Sequence, residues 1–224
     1  MLKRLALIVF TLSLPHLEAA GQIVRPPELR LQFHRAERAF RAGSSANEAK
    51  SRLDLVIAGL PHDAEALMLR AKVLLAMERP EAAFADAKLA AELMPGNGEA
   101  HLLVCETARE SGDVAEALRA LGRAAALITG GPDLHIRLSQ NAQLLGELDQ
   151  AEAYARVAHT QDETLPEAAY QLARVFLAKG RPDAAATIIA GGLEDGVLSA
   201  AEVSRDKDLE ALTTRPELAA WFGR

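Results

Sequence analysis

Residues 98–131 read GEAHLLVCETARESGDVAEALRALGRAAALITGG, and this stretch decides the fold. Apolar residues recur at helical spacing both before and after the turn sequence SGD at 111–113. Gly112 can adopt the left-handed conformation that ends a helix, and Asp113 can cap the helix that follows. The stretch therefore predicts two helices joined by a tight turn.

The same pattern recurs along the sequence with a period of 34, most visibly in Gly112, Gly146 and Gly180. Small residues keep this spacing at three further places: Ala71, Cys105, Ser139 and Ala173; Ala83, Ala117, Ala151 and Ala185; and Ala90, Ala124, Ala158 and Gly192. Small side chains are needed where two helices cross at close range. Because one helix pair cannot bury its apolar stripe alone, we expect neighbouring pairs to stack into a solenoid.

The composition supports helices and excludes several functions. Half of the residues are hydrophobic but only 4% are aromatic, a balance that favours helix over sheet. The formal net charge of −6 provides no basic field for phosphate backbones, so nucleic acid is not an expected partner. The sequence contains no Gly-rich phosphate loop, G-x-S-x-G elbow or H-E-x-x-H motif. We therefore predict a protein that is not an enzyme and that binds no cofactor or metal.

These residues resemble the tetratricopeptide repeat, or TPR, in which small residues occupy the eighth, twentieth and twenty-seventh places and glycine lies near the fifteenth. The resemblance covers about three quarters of the chain and divides it into repeats 30–63, 64–97, 98–131, 132–165 and 166–199. It implies an all-α, right-handed superhelical solenoid of about five helix-turn-helix repeats, followed by a C-terminal capping helical segment. The chain departs from the family at the fourth place, where a bulky aromatic residue is replaced by Leu67, His101, His135 and Ala169.

Residues 1–20 have the layout of a secretory signal peptide, with a short positive start, an apolar run over 5–14 and small residues at 19–21. The apolar run is too short to cross a bilayer as a helix. We therefore predict that residues 1–20 are removed and that the chain is periplasmic or secreted, with no integral membrane span after cleavage. Membrane anchoring by an uncleaved signal is the alternative.

The two ends of the repeat array are interpreted from local composition. The consecutive prolines Pro26 and Pro27 predict an extended lead-in over 21–29. Residues 200–224 are predicted to cap the last repeat, with Trp221 and Phe222 covering its apolar end.

The TPR resemblance implies that the first helix of each pair lines a concave groove. The residues that it places there are Met68, Lys72, Leu75, Leu102, Arg109, Ile136, Gln140, Gln143, Tyr170, Arg174 and Leu177. An apolar line with polar flanks suits an amphipathic helix or an extended segment of a partner protein. The alternative is that the same residues pack on neighbouring repeats.

Acidic residues occupy the second place of four repeats, as Glu65, Glu99, Asp133 and Glu167. The positive end of the helix dipole favours an acid in the first turn, which is sufficient to explain them. An acidic rim that recognises a basic partner is the other interpretation.

Cys105 is the single cysteine of the chain, so no intramolecular disulfide can form. His101 lies four residues before it, and the two side chains could face one metal ion. A metal site needs three or four ligands, however, so we expect a buried thiol. A metal or redox role at Cys105 is the least favoured hypothesis.

Together these patterns predict an exported TPR adaptor or scaffold that holds a protein or peptide partner, in cell-envelope assembly or in secretion. The alternative is a structural component that associates with copies of itself, as a homo-oligomer within an envelope complex.

Overall fold

The computed structural model describes residues 23–43 and 45–223, and all regular structure within these residues is helical. Ten helices form five successive pairs: α1 (Pro27–Arg41) with α2 (Ala46–Gly59), α3 (Ala64–Ala76) with α4 (Pro80–Leu93), α5 (Gly98–Glu110) with α6 (Val114–Leu127), α7 (Pro132–Leu144) with α8 (Leu148–Gln161), and α9 (Pro166–Ala178) with α10 (Pro182–Glu194). The sequence prediction of an all-α fold with about five helix pairs is confirmed.

The helix pairs stack with the predicted register. The inner helices α3, α5, α7 and α9 begin at residues 64, 98, 132 and 166, which keeps the period seen in the sequence. Each helix packs on the other member of its pair and on the first helix of the next pair, and successive inner helices also contact each other. The result is a continuous core in which each repeat depends on its neighbours.

The recurring small residues lie where the helices cross. Every member of the column that starts at Ala83 is fully buried, and so is every member of the column that starts at Ala71. A larger side chain in either column would push the paired helices apart. Leucines such as Leu67, Leu103 and Leu121 fill the space between the helices and are almost fully buried. Each of them contributes roughly 1.5–3 kcal/mol of hydrophobic stabilisation.

The turns within the pairs follow the predicted chemistry. Gly112, Gly146 and Gly180 adopt positive φ angles of 85°, 83° and 68°, the left-handed region that glycine enters without strain. The Asp113 side chain caps α6 by accepting a hydrogen bond of 3.0 Å from the backbone N–H of Glu116. Glu78, which occupies the corresponding place in the second repeat, also has a positive φ of 56°.

The predicted lead-in is too long at its C-terminal end. Residues 23–26 have no regular structure, but α1 already begins at Pro27. Proline is compatible with the first position of a helix because the N–H of that residue has no partner within the helix. Residues 27–29 are therefore helical. The predicted signal peptide lies outside the described residues, and no helix of the described part has the length and apolarity needed to cross a bilayer.

The segment after α10 packs on the last helix pair, with Trp221 and Phe222 among the residues that contact the core. It consists of α11 (Ala200–Arg205), two short 3-10 turns over 210–214 and 216–218, and α12 (Ala219–Phe222). Its buried side chains are Val203, Leu209, Leu212 and Leu218, whereas Trp221 and Phe222 are only half-buried. The aliphatic residues form the buried part of this contact, and the two aromatic rings pack against the same cluster.

Candidate partner-binding groove

The inner helices α1, α3, α5, α7 and α9 form one side of the solenoid, called here the inner-helix face. The apolar residues predicted to line it do not form a continuous exposed track. Leu102 is fully buried, and Met68 and Ile136 are nearly so. Leu102 and Met68 belong to the main core cluster, and Ile136 packs with Ala158 of α8 and Ala168 of α9. Contrary to the expectation from the sequence, these three side chains therefore offer little surface to a partner. Leu75, Tyr170 and Leu177 are half-buried against the core.

Most of the polar residues predicted for the groove join one repeat to the next. Lys72 on α3 donates a hydrogen bond of 2.8 Å to Glu99 on α5. Arg137 on α7 donates two hydrogen bonds of 2.9 Å to the carboxylate of Glu106 on α5, in a bidentate arrangement. Arg137 also reaches Glu99 at 3.3 Å. These contacts form a ladder of ion pairs across three successive inner helices and fix their side chains in place.

The ladder continues toward the C-terminus with other partners. Gln171 on α9 donates a hydrogen bond of 3.0 Å to the side-chain oxygen of Gln143 on α7. Arg174 pairs with Asp206, and the Tyr170 hydroxyl contacts Glu202 at 3.3 Å. The predicted site residues Gln143, Tyr170 and Arg174 are therefore engaged within the chain.

Two of the second-place acids also have partners within the chain. Glu65 accepts a hydrogen bond of 2.8 Å from Arg25 in the segment before α1. Burial opposes ionisation of Glu99, but the hydrogen bonds and charges of Lys72 and Arg137 outweigh it and hold the pKa of this carboxyl below its usual value. Besides stabilising helix N-termini, Glu65 therefore binds the segment before α1, and Glu99 joins neighbouring repeats.

An open groove of about 550 Å³, called here the central groove, lies near the C-terminal ends of α3, α5 and α7. The residues that line it include Leu75, Glu78, Glu106, Arg109, Gln140 and Leu144. Three of the predicted site residues, Leu75, Arg109 and Gln140, thus meet in one place. The sequence analysis missed Glu78 and Leu144.

The central groove combines apolar surface with charge. Leu144, at the end of α7, is 65% exposed, and Leu75 beside it is half-buried. Arg109 reaches Glu110 at 2.9 Å and donates a hydrogen bond of 3.2 Å to Asn141. The Gln140 side chain is exposed. A partner side chain could therefore find both an apolar contact and a polar one here.

A second cavity of about 530 Å³ lies between α1 and α3 and contains the exposed edges of Met68 and Lys72. A third, of about 920 Å³, lies at the N-terminal ends of α3 and α5 and is bordered by Arg25. Arg25 is held there by a bidentate pair with Asp63 and by the ring of Phe33, whose centroid lies 3.8 Å from the guanidinium carbon. The chain's own N-terminal segment thus already borders this last cavity.

Cys105 lies in the core and not in any of these cavities. Burial raises the pKa of its thiol to about 12, so the reactive thiolate form is disfavoured. His101 hydrogen-bonds the backbone oxygen of Pro95 at 2.9 Å. Within residues 23–43 and 45–223, no three His, Cys, Asp or Glu side chains are close enough together to hold a metal ion.

Comparisons with known proteins identify the fold through structure and not through sequence. No protein-family model and no curated protein sequence matches the chain. Among solved structures, PilW, described as a widely conserved type IV pilus biogenesis factor, superimposes with a TM-score of 0.65 at 16% identity, over 88% of this chain and 99% of PilW. TTC0263, a TPR protein of Thermus thermophilus, gives a TM-score of 0.61 at 23% identity, over 82% of this chain and 95% of that one.

A third solved structure is YrrB, described as a TPR protein with an unusual peptide-binding site. It gives a TM-score of 0.54 at 16% identity, over 73% of this chain and 84% of YrrB. At these low identities the likeness establishes the TPR fold, and the fold alone.

Proposed function

We propose that this TPR solenoid is a non-enzymatic scaffold that holds a protein or peptide partner on its inner-helix face, with the central groove as the main contact. The observation that carries this proposal is the groove itself. It presents the exposed Leu144 and the half-buried Leu75 beside ionised side chains, and no residue that the structure describes fills it. Apolar surface bordered by polar groups is typical of a protein-binding site.

The ion-pair ladder supports this proposal through its effect on side-chain freedom. Two side chains that line the groove, Arg109 and Glu106, are held by Glu110 and by Arg137, so they are already partly ordered before a partner arrives. Binding then costs less conformational entropy than it would at a surface of free side chains. With a volume of about 550 Å³, the groove has room for a few side chains of a peptide segment.

The absence of an enzymatic role is part of the same proposal. Cys105, the only thiol of the sequence, is buried and its pKa of about 12 disfavours the nucleophilic form. The carboxylates that border the central groove are Glu78, Glu106 and Glu110, and two of them are neutralised by arginines. Such pairs position side chains, and a carboxylate that is held by an arginine is poorly placed to transfer a proton to or from a substrate.

Export and a place in envelope assembly or secretion belong to the proposal as well. The support for export is the sequence of residues 1–20, with its positive start and apolar run. PilW, with a similar fold, is described as a pilus biogenesis factor, which makes envelope assembly the first setting to test. Detection of the chain in the periplasmic fraction, with an N-terminus shortened to about residue 21, would support export. A full-length cytoplasmic protein would refute it.

The binding proposal is tested with peptides selected from a phage-displayed library on the purified full chain. We compare Leu144→Asn in the groove with Val157→Asn on the outer helix α8, where the side chain is 39% exposed. Loss of the leucine contact should weaken binding of a selected peptide roughly fivefold, corresponding to about 1 kcal/mol of apolar contact. The Val157 variant should bind as the original protein does. Equal affinities for both variants, or a loss only with Val157→Asn, would contradict the proposal.

A further inference from the structure

Glu78 occupies a place where the fold favours glycine. The equivalent residues of the next three repeats are Gly112, Gly146 and Gly180, and all four have φ between 56° and 85°. A residue with a Cβ is strained in this left-handed region, whereas glycine is not. The geometry of the turn therefore does not explain why the second repeat carries a glutamate.

The contacts of Glu78 do not explain it either. Its backbone N–H donates a hydrogen bond of 2.9 Å to the Leu75 carbonyl, which any residue at this place could do. Its side chain is exposed, and its carboxylate forms no hydrogen bond or ion pair with the residues that the structure describes. A strained residue that stabilises nothing in the free chain is a candidate for a role in binding.

The position of Glu78 identifies that role, because its side chain borders the central groove. The other two acids there are balanced: Glu110 pairs with Arg109, and Glu106 pairs with Arg137. Glu78 therefore supplies one uncompensated negative charge. The apolar surface of Leu75 and Leu144 lies in the same groove.

Resting on the proposed function, we infer that Glu78 makes the central groove selective for a partner segment that presents a lysine or arginine next to an aliphatic residue. The cation pairs with the Glu78 carboxylate, and the aliphatic side chain packs on Leu75 and Leu144. Charge complementarity decides the sign of the charge on the partner segment, because the unbalanced Glu78 carboxylate would repel an acidic segment. The methylene groups of a lysine or arginine can extend over the apolar surface while the charged end reaches Glu78.

The test uses peptides selected by phage display on the full chain, and three variants. Glu78→Gln keeps the size and the strained backbone but removes the charge. Glu78→Gly removes the strain as well. Glu81→Gln, an exposed acid in the first turn of α4 outside the groove, is the matched control for net charge.

We expect the selected peptides to be enriched in lysine or arginine beside an aliphatic residue. Glu78→Gln should weaken their binding roughly two- to fivefold, the range of a solvent-accessible ion pair, and added salt should reduce this difference. Glu78→Gly should weaken binding to a similar extent but raise Tm by about 2–4 °C, because the backbone strain is relieved. Glu81→Gln should leave binding unchanged and should not raise Tm, because Glu81 lies outside the groove and its charge favours the N-terminus of α4.

Several results would overturn the inference: selected peptides without basic residues, affinity unchanged in Glu78→Gln, or equal losses in Glu78→Gln and Glu81→Gln. If such peptides remain sensitive to Leu144→Asn, only the selectivity is wrong and the proposed function stands. If they are insensitive to Leu144→Asn as well, both fail.

Discussion

Truncating Leu102 distinguishes a core residue from a partner-binding one. The TPR resemblance implies that this side chain faces the groove, whereas in the structure it is fully buried on α5 within the main core cluster. Leu102→Ala removes three carbon atoms from a site enclosed by the central repeat. Buried Leu→Ala substitutions cost about 2.7–5.0 kcal/mol, through the lost transfer free energy and the cavity that remains.

We take about 3 kcal/mol for Leu102→Ala, because the alanine-rich helices around it have few long side chains that could move into the space. For a chain of this length, such a loss lowers Tm by roughly 6–12 °C. The assay is guanidinium unfolding followed by far-UV circular dichroism. Leu144→Ala is the control: the residue is 65% exposed, so the change should stay within about 0.5 kcal/mol.

The stability of a solenoid is approximately the sum of the stabilities of its repeats and of the contacts between neighbouring repeats, so the shape of the unfolding transition is also informative. Weakening the third of five repeats should broaden the transition as well as shift it. The reasoning is refuted if Leu102→Ala unfolds at the same denaturant concentration as the original protein, or if Leu144→Ala is the more destabilised variant.

Three further predictions concern other parts of the chain. Cys105 should resist a thiol reagent in the folded protein at mildly alkaline pH, since its pKa is about 12, and should react fully in denaturant; rapid labelling of the native chain would contradict its burial. Hydrogen bonds from Lys179 hold the pKa of Glu152 at about 2, below its ordinary value of 4.5, so its stabilising effect is complete above pH 4.5 and is lost as the pH falls toward 2. Glu152→Gln should therefore lower Tm at neutral pH and reduce its fall across that acidic range, and parallel pH profiles of the two proteins would refute this assignment. Leu212→Glu should place a charge in the buried contact between α10 and the C-terminal segment, lowering Tm and causing self-association in light scattering; a monomer with unchanged Tm would show that this contact does not stabilise the fold.

The fold could be predicted because its main constraint is periodic and local. The positions of Gly112, Gly146 and Gly180 mark turns, and the small residues between them mark helix crossings. Both requirements act within one helix pair, so a single sequence reveals them through repetition. The start of α1 at Pro27 was missed because two consecutive prolines were interpreted as extended, although the second is compatible with a first helical position.

The candidate site was less predictable because it depends on how closely neighbouring repeats approach each other. The repeat period does not determine whether Leu102 ends in the core or at the surface. Opposite charges roughly one repeat apart, such as Glu106 and Arg137, were a usable signal for the ladder of ion pairs. The sequence also marks Glu78, because it stands where the next three repeats have glycine. Only the structure shows that this residue has a positive φ and borders the central groove.

The most direct test of partner binding on the inner-helix face is site-specific photo-crosslinking in the native host. A photoreactive amino acid replaces Leu144 in the central groove or Val157 on the outer helix α8, two exposed apolar positions on different faces. We predict that one defined adduct forms from position 144, is absent from position 157, and is formed in lower yield when Glu78→Gln is added. An adduct that forms from position 157 and not from position 144 would contradict the account.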